Sequence, residues 1–218
     1  ISRGLVGSEM CIRDSNVTPP VITNQAPQLV TAITDQTTNQ SQQYSFDLSQ
    51  GGQTFTDPDG DELTYSFSTS PQTNDFTLNG TVLYGTPTLA QTVTFTVTAT
   101  DPNGLSANDS FLLNINGAPK LTNSISNQSV NIGENYNFDV TQNGSTFEDL
   151  DSEILIYSVQ ITPTNDGLAF NGTHLSGVPN QAGEYTIAVT ATDDGGLFDS
   201  TSFVSVSYTH LTLPTMEL

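Results

Sequence analysis

The chain has 218 residues and a formal net charge of −20, from 23 acidic and only 3 basic side chains, with one Cys, two Met, two His and no Trp. Three Lys and Arg cannot neutralise a run of phosphates or an anionic lipid surface, so nucleic acid and direct membrane insertion are poor fits and cations are the natural partner. With hydrophobic residues at 34% and charged ones at 12%, the remainder is dominated by Thr, Ser, Asn, Gln, Gly and Pro, which suits short strands and turns in two ordinary domains.

Taken in chain order, the rare residues cluster at the two ends. Arg3, Met10, Cys11 and Arg13 precede residue 16, and His210 and Met216 follow residue 205. The segment from Leu5 to Ser15 resembles a translated transposase adapter used in DNA library preparation, whose ATG-TGT-ATA-AGA-GAC codons read Met-Cys-Ile-Arg-Asp. Val206 to Thr215 resembles the opposite strand of such an adapter. Residues 1–15 and 206–218 are therefore expected to be adapter-derived and are set aside, as processing scars are. Residues 16–23 are then a linker, and the chain is expected to be a fragment of a longer protein. The first segment also lacks the continuous apolar stretch of about 7–15 residues that a signal peptide needs. Residues 16–205 keep 20 acidic side chains and one basic one, Lys120, with no Cys and no Met. No disulfide framework or thiolate site is possible there, a pattern that fits an extracellular bacterial protein.

The genuine part repeats. Asn24-Gln-Ala-Pro27 returns as Asn116-Gly-Ala-Pro119, Tyr44-Ser-Phe-Asp47 as Tyr136-Asn-Phe-Asp139, and Phe55-Thr-Asp-Pro-Asp59 as Phe147-Glu-Asp-Leu-Asp151. Gly85-Thr-Pro87 returns as Gly177-Val-Pro179 and Thr98-Ala-Thr-Asp101 as Thr190-Ala-Thr-Asp193, always 92 residues later and without a gap. The period defines repeat one at 24–115 and repeat two at 116–205. Within each, apolar residues alternate strictly: Tyr44, Phe46 and Leu48; Leu63, Tyr65 and Phe67; Val93, Phe95, Val97 and Ala99; Phe111 and Leu113. The second unit repeats this with Tyr136, Phe138 and Val140, and with Tyr185, Ile187, Val189 and Ala191. Alternation marks strands with one face on a core, and turn signals such as Asp57-Pro-Asp-Gly60 separate them. About seven short strands per unit predict an all-β fold of two tandem Greek-key β-sandwiches. Asn79-Gly80 and Asn171-Gly172 are predicted two-residue hairpin turns.

The pattern Asn-x-Ala-Pro, Phe-x-Asp-Pro-Asp-Gly-Asp-x-Leu-x-Tyr, Gly-x-Pro and Val-x-Ala-x-Asp-x-x-Gly resembles the dystroglycan-type cadherin-like domain and the related immunoglobulin-like repeats of bacterial surface proteins. The resemblance covers nearly all of 24–205. It implies a sandwich strung in tandem arrays, often binding calcium and serving as an adhesion module or rigid spacer, extracellular or at the cell surface. Calcium takes six to eight oxygens, and a turn carrying Asp57, Asp59 and Asp61 supplies several at once; the resemblance implies that Asp101, at the end of a later strand, lies near that turn. Carried over by position, the cadherin ligands fall on Asp57, Asp59 and Asp101 in repeat one and on Asp149, Asp151 and Asp193 in repeat two. Glu153 keeps an acid opposite Asp61, and Asn24 and Asn116 contribute linker carbonyls. The linker here is Asn114-Ile-Asn-Gly117 rather than the more acidic cadherin sequence, and 16–205 contains no Arg; both departures weigh against a three-calcium interdomain site. An EF-hand loop is ruled out, because counting from Asp57 puts Glu62 and Ser68 where Gly and Glu are required.

Other chemistries fare worse. The genuine region has one His, His174, and no nucleophile elbow, so no enzyme is expected. A carbohydrate-binding accessory module of a secreted enzyme is the alternative reading, with Tyr84 its one candidate platform. Lys120 invites an intramolecular Lys–Asn bond, but repeat one has Gln28 there. Expected partners are calcium, neighbouring repeats of the same chain, and surface proteins or glycans.

Overall fold

A computed structural model describes residues 23–151, 154–165 and 167–209. Glu153 and most of the two adapter-like ends lie outside the described residues. Repeat one contains β1 (Gln28–Leu29), β2 (Gln36–Asn39), β3 (Tyr44–Asp47), β4 (Phe55–Thr56), β5 (Thr64–Ser70), β6 (Phe76–Asn79), β7 (Val82–Gly85), β8 (Gln91–Thr100) and β9 (Ser106–Asn116). Repeat two contains β10 (Lys120–Leu121), β11 (Gln128–Asn131), β12 (Tyr136–Asp139), β13 (Phe147–Glu148), β14 (Ile156–Thr162), β15 (Leu168–Phe170), β16 (His174–Gly177), β17 (Gly183–Thr192) and β18 (Phe198–Tyr208). Each strand of the second set begins 92 residues after its counterpart. The excess over seven comes from a two-residue ribbon, β1 with β4, extended where Val30 N–H donates to the Thr54 carbonyl at 2.8 Å.

Each repeat is a sandwich of a four-stranded and a three-stranded sheet. In repeat one the orders are β2-β9-β8-β5 and β3-β7-β6; in repeat two, β11-β18-β17-β14 and β12-β16-β15. The first strand of each larger sheet runs parallel to the last, and the other pairs are antiparallel. The period-2 pattern places Val93, Phe95, Val97 and Ala99 inward and fully buried, with Thr94, Thr96, Thr98 and Thr100 outward. Phe95 is the hub of repeat one: it stacks on Phe111 at 5.2 Å and meets the edge of Phe76 at 5.0 Å. Repeat two has Ile187 and Leu168 at the Phe95 and Phe76 positions, so its core is largely aliphatic.

Two details differ from the sequence reading. In the first hairpin Asn79 pairs with Val82, so the turn is Gly80-Thr81 and only Gly80, at φ 61°, takes the left-handed conformation. Opposing Leu78 and Leu83 across the ladder forces this register, and a turn with glycine first accommodates it. In the second unit the loop is longer, with Phe170 paired to Leu175. The last strand also continues to Tyr208, taking Val206, Ser207 and Tyr208 into the ladder beyond the predicted boundary at residue 205. Backbone pairing accepts almost any side chain; the core does not. Ser205 and Ser207 are 3% and 4% exposed at positions held in repeat one by Leu113 and Ile115. The Ser207 hydroxyl has no hydrogen-bond partner.

Two stability outcomes follow from these cores. Phe95→Ala should destabilise repeat one by about 3–5 kcal/mol, seen as lost hydrogen-exchange protection in β8 and β9 with β17 and β18 unaffected. Ser207→Ile should stabilise repeat two by about 1–2 kcal/mol, since it removes a stranded hydroxyl and restores apolar burial, and calorimetry would register the shift.

Candidate metal site at one end of each repeat

The acidic turn of repeat one follows β4. Asp57 Oδ1 accepts the Asp59 N–H at 2.8 Å, and Gly60 N–H donates to the Asp57 carbonyl at 3.1 Å with Gly60 at φ 82°. Asp, Pro and Gly are placed here as the backbone of a tight turn needs them. Asp57 Oδ2 is buried and accepts no hydrogen bond. Asp101, at the end of β8, is 4% exposed. Its Oδ1 accepts the N–H groups of Asn103 and Leu105, each at 2.9 Å, and its Oδ2 accepts Asn24 Nδ2 at 2.7 Å. Burial pushes the Asp101 carboxyl up, but these hydrogen bonds outweigh it and hold the group below the usual carboxylate range. Gln25 donates its backbone N–H to Asp59 Oδ2 at 2.7 Å.

Asp61 behaves in the opposite way. Desolvation, followed by repulsion from Asp57, Asp101 and Asp59, raises its carboxyl above the ordinary range. The four aspartates named from sequence in repeat one are therefore electrostatic neighbours, with Asn24 hydrogen-bonded into the group. Two strands that are distant in sequence, β4 and β8, deliver them to one end of the sandwich.

Repeat two reproduces the arrangement and adds the junction. Asn116 is the last residue of β9 and also the first of repeat two. Its Nδ2 donates to Asp193 Oδ2 at 2.9 Å, as Asn24 does to Asp101. Gly117 N–H donates to Asp151 Oδ2 at 2.7 Å, Asp151 N–H to Asp149 Oδ1 at 3.1 Å, and Leu197 N–H to Asp193 Oδ1 at 2.8 Å. From repeat one, Asn39 Oδ1 accepts Asn116 Nδ2 at 3.3 Å and Asn39 Nδ2 donates to the Gly195 carbonyl at 3.2 Å. Sequence reasoning does not single out Asn39: it lies 77 residues before Asn116, and only the β2–β9 pairing sets the two side by side.

The donor set is all hard oxygen, which suits calcium rather than zinc or copper. Among the described residues, no group of three or more His, Cys, Asp or Glu is arranged so as to hold a metal ion. Amide groups occupy the oxygens of Asp59 and Asp101, the Gln25 Nε2 donating to Asp59 Oδ1 at 3.3 Å among them, so calcium would have to displace the Asn24 and Gln25 side-chain donors. The remaining candidates are dispersed. Tyr84 is 40% exposed on β7, facing away from the core. His174 sits opposite Asp139 with Nδ1 3.0 Å from the Thr173 hydroxyl. Lys120 is exposed on β10 opposite Glu148.

Fold and site together define a tandem pair of immunoglobulin-like β-sandwiches joined without a free linker. The family model described as "Putative Ig domain" matches residues 19–116 and 118–209, and the chain belongs to that family. No curated protein matches the chain. Among solved structures it is similar to the I-band fragment I67–I69 from titin, at 11% identity and a TM-score of 0.54, covering 86% of this chain and 67% of that one. It is similar to the IG1+IG2 pair of DIP-gamma at 11% identity and a TM-score of 0.53, covering 87% and 100%. A mouse clustered protocadherin EC1–3 fragment aligns at 16% identity and a TM-score of 0.49, covering 85% and 68%.

Asp101→Asn should destabilise repeat one at neutral pH. A carboxylate whose folded pKa is depressed stabilises the fold above its unfolded pKa of about 3.9 and loses that contribution as pH falls through the folded value. The gap between the parent chain and the variant in urea unfolding should therefore be full at pH 6–7 (roughly two units above the carboxylate range) and narrow below about pH 4.

Proposed function

We propose that the chain is a length of rigid spacer or adhesion module from a bacterial secreted or surface-anchored protein, stiffened by calcium at the acidic end of its repeats. What carries the spacer reading is Asn116, which closes the β2–β9 ladder of repeat one and hydrogen-bonds Asp193 of repeat two. Sharing one residue removes the slack that a flexible linker would supply. Repeats joined in this way hold a terminal domain at a set distance.

Calcium is supported by the crowding around Asp61. Repulsion among four carboxylates destabilises the folded end at neutral pH, and a divalent cation reverses the sign of that interaction. Asp57, Asp59, Asp61 and Asp101 would hold the ion in repeat one, and Asp149, Asp151 and Asp193 in repeat two, with Asn24 and Asn116 turning carbonyl oxygens toward it. Glu153 is the counterpart of Asp61 by the repeat. At the affinity usual for extracellular modules, several millimolar calcium adds about 1–2 kcal/mol per domain.

Melting of the chain in calcium and in a chelator tests this. The transition should rise by about 4–10 °C with calcium, and Asp59→Asn should remove most of the rise while leaving the chelator value close to the parent. Identical melting with calcium and with chelator would rule the ion out.

A further inference from the structure

The two repeats build the same end differently, and the differences fall where repeat two meets its neighbour. Position 25 is Gln and position 103 is Asn, whereas the residues 92 positions later are Gly117 and Gly195. Neither of these glycines takes a left-handed φ, so the backbone does not require glycine at either place. Space does. A Cβ on Gly117 would stand 2.6 Å from the Ala90 Cβ of repeat one, well inside the contact distance of about 3.5–4.0 Å between carbon atoms. A Cβ on Gly195 would meet Asn39 Oδ1 of repeat one at 3.1 Å and run into the Asn116 amide that bonds Asn39.

Repeat one fills the same two places with its own side chains. Asn103 Nδ2 donates to Asn24 Oδ1 at 2.6 Å, and Gln25 Nε2 donates to Asp59 Oδ1 at 3.3 Å. In repeat two these side chains are missing and the preceding repeat supplies the contacts instead. Asn39 Oδ1 accepts Asn116 Nδ2, Asn39 Nδ2 donates to the Gly195 carbonyl, and Ala90 takes the room beside Gly117. An end that bonds its own Asn24 through Asn103 has neither the free group nor the space for a neighbour.

We propose that Gly117 and Gly195 are the residues that seat repeat two on repeat one, and that the surface made by Asn39 and Ala90 takes as its partner a following repeat with glycine at both positions. A repeat that carries Gln and Asn there, as repeat one does, is tethered by such a surface but not seated on it, because its side chains clash with the same two residues. Two positions per repeat then decide which junctions of an array are rigid. The inference rests on the spacer reading, which supplies the rigid junction, and adds the residues that choose the partner.

The test compares the whole chain with G117Q/G195N, which installs the two residues that repeat one already carries at these positions and changes no charge. A second variant, N39A/A90L, removes the bonds and fills the contact from the side of repeat one, leaving repeat two untouched. It decides alone if G117Q/G195N costs repeat two its fold. Backbone amide nitrogen relaxation is read in chelator, so that calcium plays no part, and the amide shifts of β8, β9, β17 and β18 check that both sandwiches are intact. The two repeats of the parent should tumble as one body. In the variants that coupling should be lost, the correlation time of each repeat falling toward that of a single domain while both cores stay unchanged. Variants that tumble like the parent would overturn the role of the two glycines and leave the spacer reading standing. A parent whose repeats tumble independently would end both.

Discussion

Aspartate accepting backbone N–H groups is the interaction on which most of this molecule rests. A chain with 23 acidic and three basic residues cannot neutralise its carboxylates with cationic side chains, so it turns them onto its own amides. Asp47 accepts the Ser49 and Gly51 N–H groups, and Asp139 those of Thr141 and Asn143, shaping the same loop in both repeats. Asp109 accepts Ile33 N–H, tying the β1–β2 connection to β9, and Asp199 accepts Leu121 N–H, tying β10 to β18. Hydrogen bonds to a charged acceptor are roughly twice as strong as neutral ones and satisfy donors that turns leave over. Acidity here is a folding device before it is a binding one.

The same economy makes the crowded end of repeat one exceptional. Asp59 and Asp101 are supplied with amide donors, while Asp57 Oδ2 is buried without one and Asp61 is pressed by its neighbours. Spare negative potential is concentrated there. At the junction, by contrast, Asn116 and Gly117 draw Asp193 and Asp151 into the contact between repeats. One motif thus does two jobs. At the junction it bears on the preceding repeat through Asn39; in repeat one its acids face Asn24 and Gln25.

Internal duplication also separates what folding demands from what it permits. Inward positions exchange Phe95 for Ile187 or Phe76 for Leu168 and remain apolar, because a sandwich core tolerates exchange at conserved patterning. Leu113 and Ile115 against Ser205 and Ser207 break that rule at the tail of β18, where the ladder is carried by backbone alone. Glu62, Thr64 and Ser106 against Ile154, Ile156 and Phe198 break the opposite rule, placing apolar groups in water.

Much of this was legible from residues alone. Alternation at Val93 to Ala99 and the 92-residue offset specified strands, faces and two domains, because a side-chain period of two has only one structural meaning and a gapless repeat must fold twice in the same way. The aspartates of the turn and strand end were also readable, since turn chemistry and family position mark them. Tertiary structure decided what those carboxylates touch. The Asn103 and Leu105 amides on Asp101 are local, but its Asn24 partner, 77 residues away, and the Asp101 charge that presses on Asp61 are brought in by strands that meet only in the fold. The hairpin register at Gly80 and the role of Asn39 belong to the same class. Each depends on which strands lie side by side, and pairing is a property of the whole sheet rather than of any segment.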